Sequence, residues 1–159
     1  MGKCASCGQT IFGGVKDGER RFCNARCRNN GRIVAVAAVV PDDVVEALGT
    51  QMHSGPCPKC KGPGPVDVHF SYRVWSAFIV TRRISSSQIS CRRCGLKTQT
   101  GNLIFSTLFG WWGLPWGLVF TPVQVCRNIA AMVSPPDPAA PSAELMRRAR
   151  IELAARVQQ

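Results

Sequence analysis

Apolar residues in this chain come in short groups set apart by Gly- and Pro-containing turns, and their spacing changes from region to region. Thr10-Ile11-Phe12 and Arg20-Arg21-Phe22 read as two short strands joined by the turn Lys16-Asp17-Gly18-Glu19. From Asn24, a fitting N-cap, the pattern predicts a helix toward Ala38. Pro41 and Asp42 then open a short amphipathic helix through Val44, Val45, Leu48 and Met52. Val66 to Phe70 and Tyr72 to Val80 alternate as strands do, and Lys97 to Thr100 suggests a third strand. Near the end, Ser134 to Pro141 is a stiff Pro-rich linker. Ser142 caps a last helix whose Leu145, Met146, Ala149, Leu153 and Val157 share one face, with Arg147, Arg148 and Arg150 outside it.

Between these regions the pattern loses its polar positions. No charge occurs in the 29 residues from Thr98 to Cys126. Length and polarity suit a membrane-spanning helix. The detail, however, puts Trp111, Trp112 and Trp116 in the middle with Gly110, Gly113, Gly117 and Pro115, whereas interfacial Trp marks the ends of a span. Two short helical arms meeting near Gly113-Leu114-Pro115 fit better, and each is too short to cross a core of ~30 Å. Such a hairpin would dip into one leaflet, with Phe105, Phe109, Trp111, Trp112, Trp116 and Phe120 as lipid or partner contacts. A kinked single span and a buried soluble core stay open as alternatives.

The cysteines add the chemistry. Eight of nine form Cys4-x2-Cys7, Cys23-x3-Cys27, Cys57-x2-Cys60 and Cys91-x2-Cys94. Pairs this close bring two sulfurs to one ion, and two pairs complete a tetrahedral thiolate cage, so two structural zinc sites are expected, with iron as the rival metal. Gly8 follows Cys7 where such knuckles need a positive φ. A disulfide framework requires an oxidising compartment, and MGKCASCG shows no apolar export signal. Cys126 has no pair and reads as a small apolar filler. His53 and His69 could replace a sulfur ligand, but both cages are already full; His69 alternates with Val66, Val68 and Phe70 as an ordinary strand residue.

Two resemblances follow from these motifs. The spacing Cys4-x2-Cys7-x15-Cys23-x3-Cys27, with knuckles CASCG and RRFCNARC, resembles the small zinc-finger inhibitors of DNA gyrase. That resemblance, which extends little beyond Cys27, implies one zinc held by Cys4, Cys7, Cys23 and Cys27 and action through contacts with the gyrase catalytic subunit. Residues 55 to 133, a zinc ribbon followed by GWWGLPWGLVFTPVQ, are similar to an arrangement in uncharacterised bacterial proteins, some of them predicted membrane proteins. This implies a bacterial protein of the cytoplasm or the cytoplasmic face of the inner membrane.

Composition and charge then bound the function. A hydrophobic content of 45% excludes wholesale disorder, and a mean hydropathy of +0.01 excludes a polytopic transporter. The formal charge of +11 falls to about +7 once eight thiolates hold two divalent ions. Residues 57 to 100 carry eight Lys and Arg against Asp67 alone, a net +7, with Arg82, Arg83, Arg92, Arg93 and Lys97 as a candidate basic patch. Such a patch suits anionic headgroups or nucleic acid, or simply offsets a thiolate cage. No nucleophile motif, phosphate loop or open zinc position appears, so an enzyme or a small-molecule substrate is not expected.

The expected fold class is therefore a small metal-stabilised α+β protein with two four-cysteine zinc modules, a knuckle-hairpin-helix and then a zinc ribbon. A hydrophobic helical hairpin and a C-terminal amphipathic helix follow. The expected segments are 1–54, 55–100, 101–133, 134–141 and 142–159. The expected function is a non-enzymatic, membrane-associated interaction or adaptor protein with an unidentified protein partner. The alternative is a soluble zinc-finger regulator of nucleic acid or of a nucleic-acid enzyme.

Overall fold

A computed structural model describes residues 2–78, 80–112 and 116–158 as short antiparallel sheets and five helices. The chain divides into two units, Met1–Leu48 with Met146–Gln159, and Gly49–Leu145.

In the first unit β1 (Gly2–Lys3) pairs with β2 (Thr10–Ile11), and β3 (Val15–Asp17) with β4 (Arg20–Phe22). Thr10-Ile11 therefore does not pair with Arg20–Phe22 as its pattern suggested. The Cys4–Cys7 turn folds β2 back onto β1, and a two-residue connection at Gly18 (φ 57°) makes Val15–Asp17 the nearer partner. Helix α1 (Ala25–Ala37) starts at Asn24, whose side chain accepts the Cys27 N–H at 2.9 Å. Helix α2 (Asp42–Ser54) begins in this unit, and α5 (Ala143–Val157) belongs to it from Met146 onward. Arg150 lies outside the apolar stripe of α5 and binds the chain end of α1. It donates to Ala37 O (3.4 Å) and Val40 O (3.1 Å) and pairs with Asp42, satisfying helix-end carbonyls with a cation. Of the predicted α5 stripe, Leu145 and Ala149 are buried but Val157 is exposed in the last turn.

The second unit is a long hairpin gripped by two helices. β5 (Val66–Ala77) and β6 (Val80–Cys91) pair in register from Val66↔Cys91 to Ala77↔Val80. The strand expected from Tyr72 to Val80 thus ends at Ala77, with Phe78 (φ 51°) at the tip and a second full strand returning. Helix α3 (Arg92–Phe109) runs up along β5, and α4 (Trp116–Val133) runs back down. Lys97–Thr100 lies inside α3 and is not a third strand. Its Gln99 is drawn onto β5, donating to Phe70 O at 2.9 Å, a tertiary contact that overrides the local Thr-rich pattern. The turn expected at Gly113-Leu114-Pro115 lies outside the described residues. Among the described residues no helix is long and apolar enough to cross a membrane.

One edge of β5 bonds β6; the other would leave backbone groups of Phe70, Tyr72 and Val74 unpaired. Helix side chains satisfy them. Asn128 accepts from Tyr72 N–H (2.9 Å) and donates to Tyr72 O (2.6 Å), imitating a neighbouring strand, and Ser106 accepts from Val74 N–H (3.1 Å). At the base of the hairpin, Asp67 accepts from the Ser142 N–H (2.9 Å) and hydroxyl (2.5 Å), which fixes the start of α5.

Candidate metal centres and an outward apolar face

The first centre is built on two short turns. Gly8 N–H donates to Cys4 O (2.9 Å) and Cys4 N–H to Gln9 O (2.8 Å), with Gly8 at φ 73° as its position in the motif requires. β4 delivers Cys23, and the first turn of α1 delivers Cys27. Cys23 N–H points at Cys4 Sγ (3.4 Å), the Sγ atoms of Cys7 and Cys23 are 3.4 Å apart, and all four lie within 4.8 Å of one another.

The second centre repeats this geometry. Lys61 N–H donates to Cys57 O (2.8 Å), Cys57 N–H to Gly62 O (2.8 Å), and Cys91 N–H to Cys57 Sγ (3.3 Å). Here Lys61 takes the left-handed position (φ 58°) that Gly8 holds in the first. β6 ends on Cys91, α3 carries Cys94, and the four sulfurs again lie within 4.8 Å.

The thiols are polarised in the same way in both groups. Burial opposes ionisation of Cys4, but the N–H groups of Cys7, Ser6 and Cys23 outweigh it and bring the thiol down to about 6. Cys57, facing the N–H groups of Cys60, Cys91 and Lys59, also falls to about 6 despite its burial. Cys23, hydrogen-bonded to Cys7 and Cys4, is pushed up to about 12, as is Cys94 by Cys60 first of all. Burial first, then bonds to Cys7 and Cys4, raise Cys27. A divalent cation would displace the protons that sulfurs at this spacing share. A tetrahedral ion with metal–sulfur bonds of about 2.3 Å sets sulfurs about 3.8 Å apart, and Cys60 and Cys91 stand at 3.7 Å. Each group fits one metal ion.

No family model, curated protein or solved structure matches this chain.

The remaining candidate residues fall into separate places. Arg82 and Arg83 sit near the hairpin tip, while Arg92, Arg93 and Lys97 stand on the first turns of α3 beside the second centre. Arg92 lies nine residue steps along the strand from Arg83, roughly 30 Å at a strand's rise; the five do not form one patch. His69 is buried against Gly95, with its pKa lowered by burial first. His53 lies 3.0 Å from Val66 O and 3.2 Å from Pro138 O. Cys126 is exposed on α4 and fills no core, because its side of the helix faces outward.

Helix α4 is turned inside out. Its buried residues are Gly117, Thr121, Gln124 and Asn128, one stripe at helical spacing, whereas Trp116, Leu118, Val119, Val123, Ile129 and Val133 are exposed. On α3 the buried residues are Gly95, Gln99 and Ser106, and Ile104, Leu108 and Phe109 are exposed. The backbones approach closely, since a Cβ on Gly117 would meet Gly110 O at 2.6 Å. Trp111 and Trp112 (73% exposed) extend the apolar surface, and Phe78 (87% exposed) joins it through its N–H to Trp112 O (3.1 Å). Of the candidate contacts, Phe109, Trp111, Trp112 and Trp116 are therefore open, whereas Phe105 and Phe120 are half-buried. Two arginines, Arg83 of the candidate basic patch among them, cover the last two: Arg73 stands 3.5 Å from the Phe105 ring centre and Arg83 4.3 Å from that of Phe120. The recurrence of 117, 121, 124 and 128 in the sequence was the available signal for the buried polar stripe.

Proposed function

We propose that this chain is a zinc-binding, non-enzymatic interaction protein that attaches to an anionic membrane surface, with both centres structural. Four thiolates leave no open metal position for a reacting water, which supports a structural role. The observation that carries the membrane reading is the inversion of α4: polar and small residues inside, large apolar residues outside. Helices in water bury the apolar face; helices in lipid pack through small and polar residues and turn apolar ones outward.

Size and charge support one leaflet. The exposed apolar part of α3, Ile104 to Phe109, is about 8 Å long at a helix rise. Lying along the surface, an apolar helix face of this kind inserts ~5–10 Å. Arg82 and Arg83 beside the tip are placed to meet anionic headgroups. The split of the basic residues into two groups favours this over a continuous nucleic-acid track.

Fractionation of the full-length protein from a native-type host tests the reading. Membranes washed with high salt, then carbonate, are expected to retain the protein until detergent is added. Release by salt alone, or recovery in the soluble fraction, would overturn it.

A further inference from the structure

A cleft of about 680 Å³ opens between the tip half of β5 and α3, lined chiefly by Trp75, Phe78, Phe105, Leu108, Phe109 and Trp112. Its size is that of a small-molecule site; Ser76 and Ala77 complete the lining, so every wall residue but Ser76 is aromatic or aliphatic. No arginine lines the cleft itself, but its wall residue Phe105 also carries Arg73. The Arg73 guanidinium carbon stands 3.5 Å from the centre of the Phe105 ring, and among the described residues its buried Nε has no hydrogen-bond partner. Trp75 faces Arg82 across the hairpin, so both arginines stand on the cleft's side of the sheet.

A buried guanidinium N–H without an acceptor is costly, and an oxyanion at this point would supply one. A guanidinium held over a ring presents its fork to a phosphate. We infer that the cleft receives one acyl chain of an anionic phospholipid, with the phosphate held at Arg73 and Arg82. This rests on the membrane reading above and adds to it: the protein grips an individual lipid as well as a surface. A neutral apolar chain would leave Arg73 unsatisfied, and a free phosphate would leave the aromatic walls exposed to water.

The test uses the full-length, zinc-loaded protein and lysophosphatidylglycerol below its micelle concentration, with lysophosphatidylcholine as the zwitterionic control. Native mass spectrometry and tryptophan fluorescence report binding, and vesicle flotation is run in parallel. One saturable site preferring the anionic head is expected. Arg73→Gln should weaken it roughly tenfold or more, and Arg73→Lys, which keeps the charge, should weaken it less and controls for folding. Ala77→Trp, which fills the cleft, should abolish the site while leaving vesicle flotation in place. Flotation without saturable lysolipid binding overturns the cleft and leaves the membrane reading standing; failure of both overturns both. Equal binding of the two lysolipids, or indifference to Arg73→Gln, overturns the headgroup role.

Discussion

The two cysteine groups are alike in almost every local respect and differ in what they carry. Both knuckles close with the same pair of backbone hydrogen bonds, both first cysteines are buried with thiols near 6, and both end in a helix that bears the fourth sulfur. The first group ties down a pair of tiny sheets and helix α1. The second anchors a hairpin of two 12-residue strands and the start of α3, whose companion α4 turns its apolar side out. A four-thiolate cage is thus a portable fastener, and the function is in the elements fastened to it.

The largest effect that would break this comparison is loss of one ligand in each group. Cys4→Ser and Cys57→Ser are each expected to lower the bound metal from two ions per chain to one and to unfold their own module, since a structural zinc is worth about 10–16 kcal/mol. Elemental analysis and thermal melting check this; a folded, metal-free second module in Cys57→Ser would sink the assignment. Next comes the inversion itself. Asn128→Leu makes α4 more apolar yet should cost about 2–4 kcal/mol in denaturant titrations, because Tyr72 N–H and O lose their partners in a buried place. Val123→Ser on the outer side should stay within about 0.5 kcal/mol.

A smaller effect concerns pH. Burial holds the His69 pKa below its ordinary value, with Asp67 opposing and Arg92 reinforcing. A depressed histidine disfavours protonation of the folded state, so its contribution is complete above about 6.5 and is lost as pH falls from there through the lower folded-state value. Denaturation at pH 7.5 and 5.5 should show less acid sensitivity in His69→Gln than in the parent protein. The smallest test exchanges the knuckle residues. Lys61→Gly should stabilise the second module by up to about 1 kcal/mol, and Gly8→Ala should weaken the first by a similar amount, because both positions are left-handed.

Much of this was legible in the residues. The cysteine spacing marked both metal groups, Asn24 and Ser142 announced their helices, and Gly8 its turn. The misreadings share a cause. Thr10-Ile11 pairs with β1, and Lys97–Thr100 is helical, because partners distant in sequence decide, in one case a knuckle turn and in the other the open edge of β5. The uncharged stretch hid its organisation for another reason. Its apolar residues are so numerous that the informative signal is the sparse polar set Thr121, Gln124 and Asn128, whose helical spacing marks the inner face.

All four tryptophans, Trp75, Trp111, Trp112 and Trp116, lie in the second unit, on the cleft wall and around the helix ends. Intrinsic fluorescence therefore reports on the apolar face with no added probe. The decisive measurement is its quenching by phosphatidylglycerol vesicles whose acyl chains carry bromine. The account predicts a blue-shifted spectrum, strong quenching by bromines placed shallowly in the leaflet and little by those near the bilayer centre. An unshifted spectrum insensitive to bromine at every depth would contradict it.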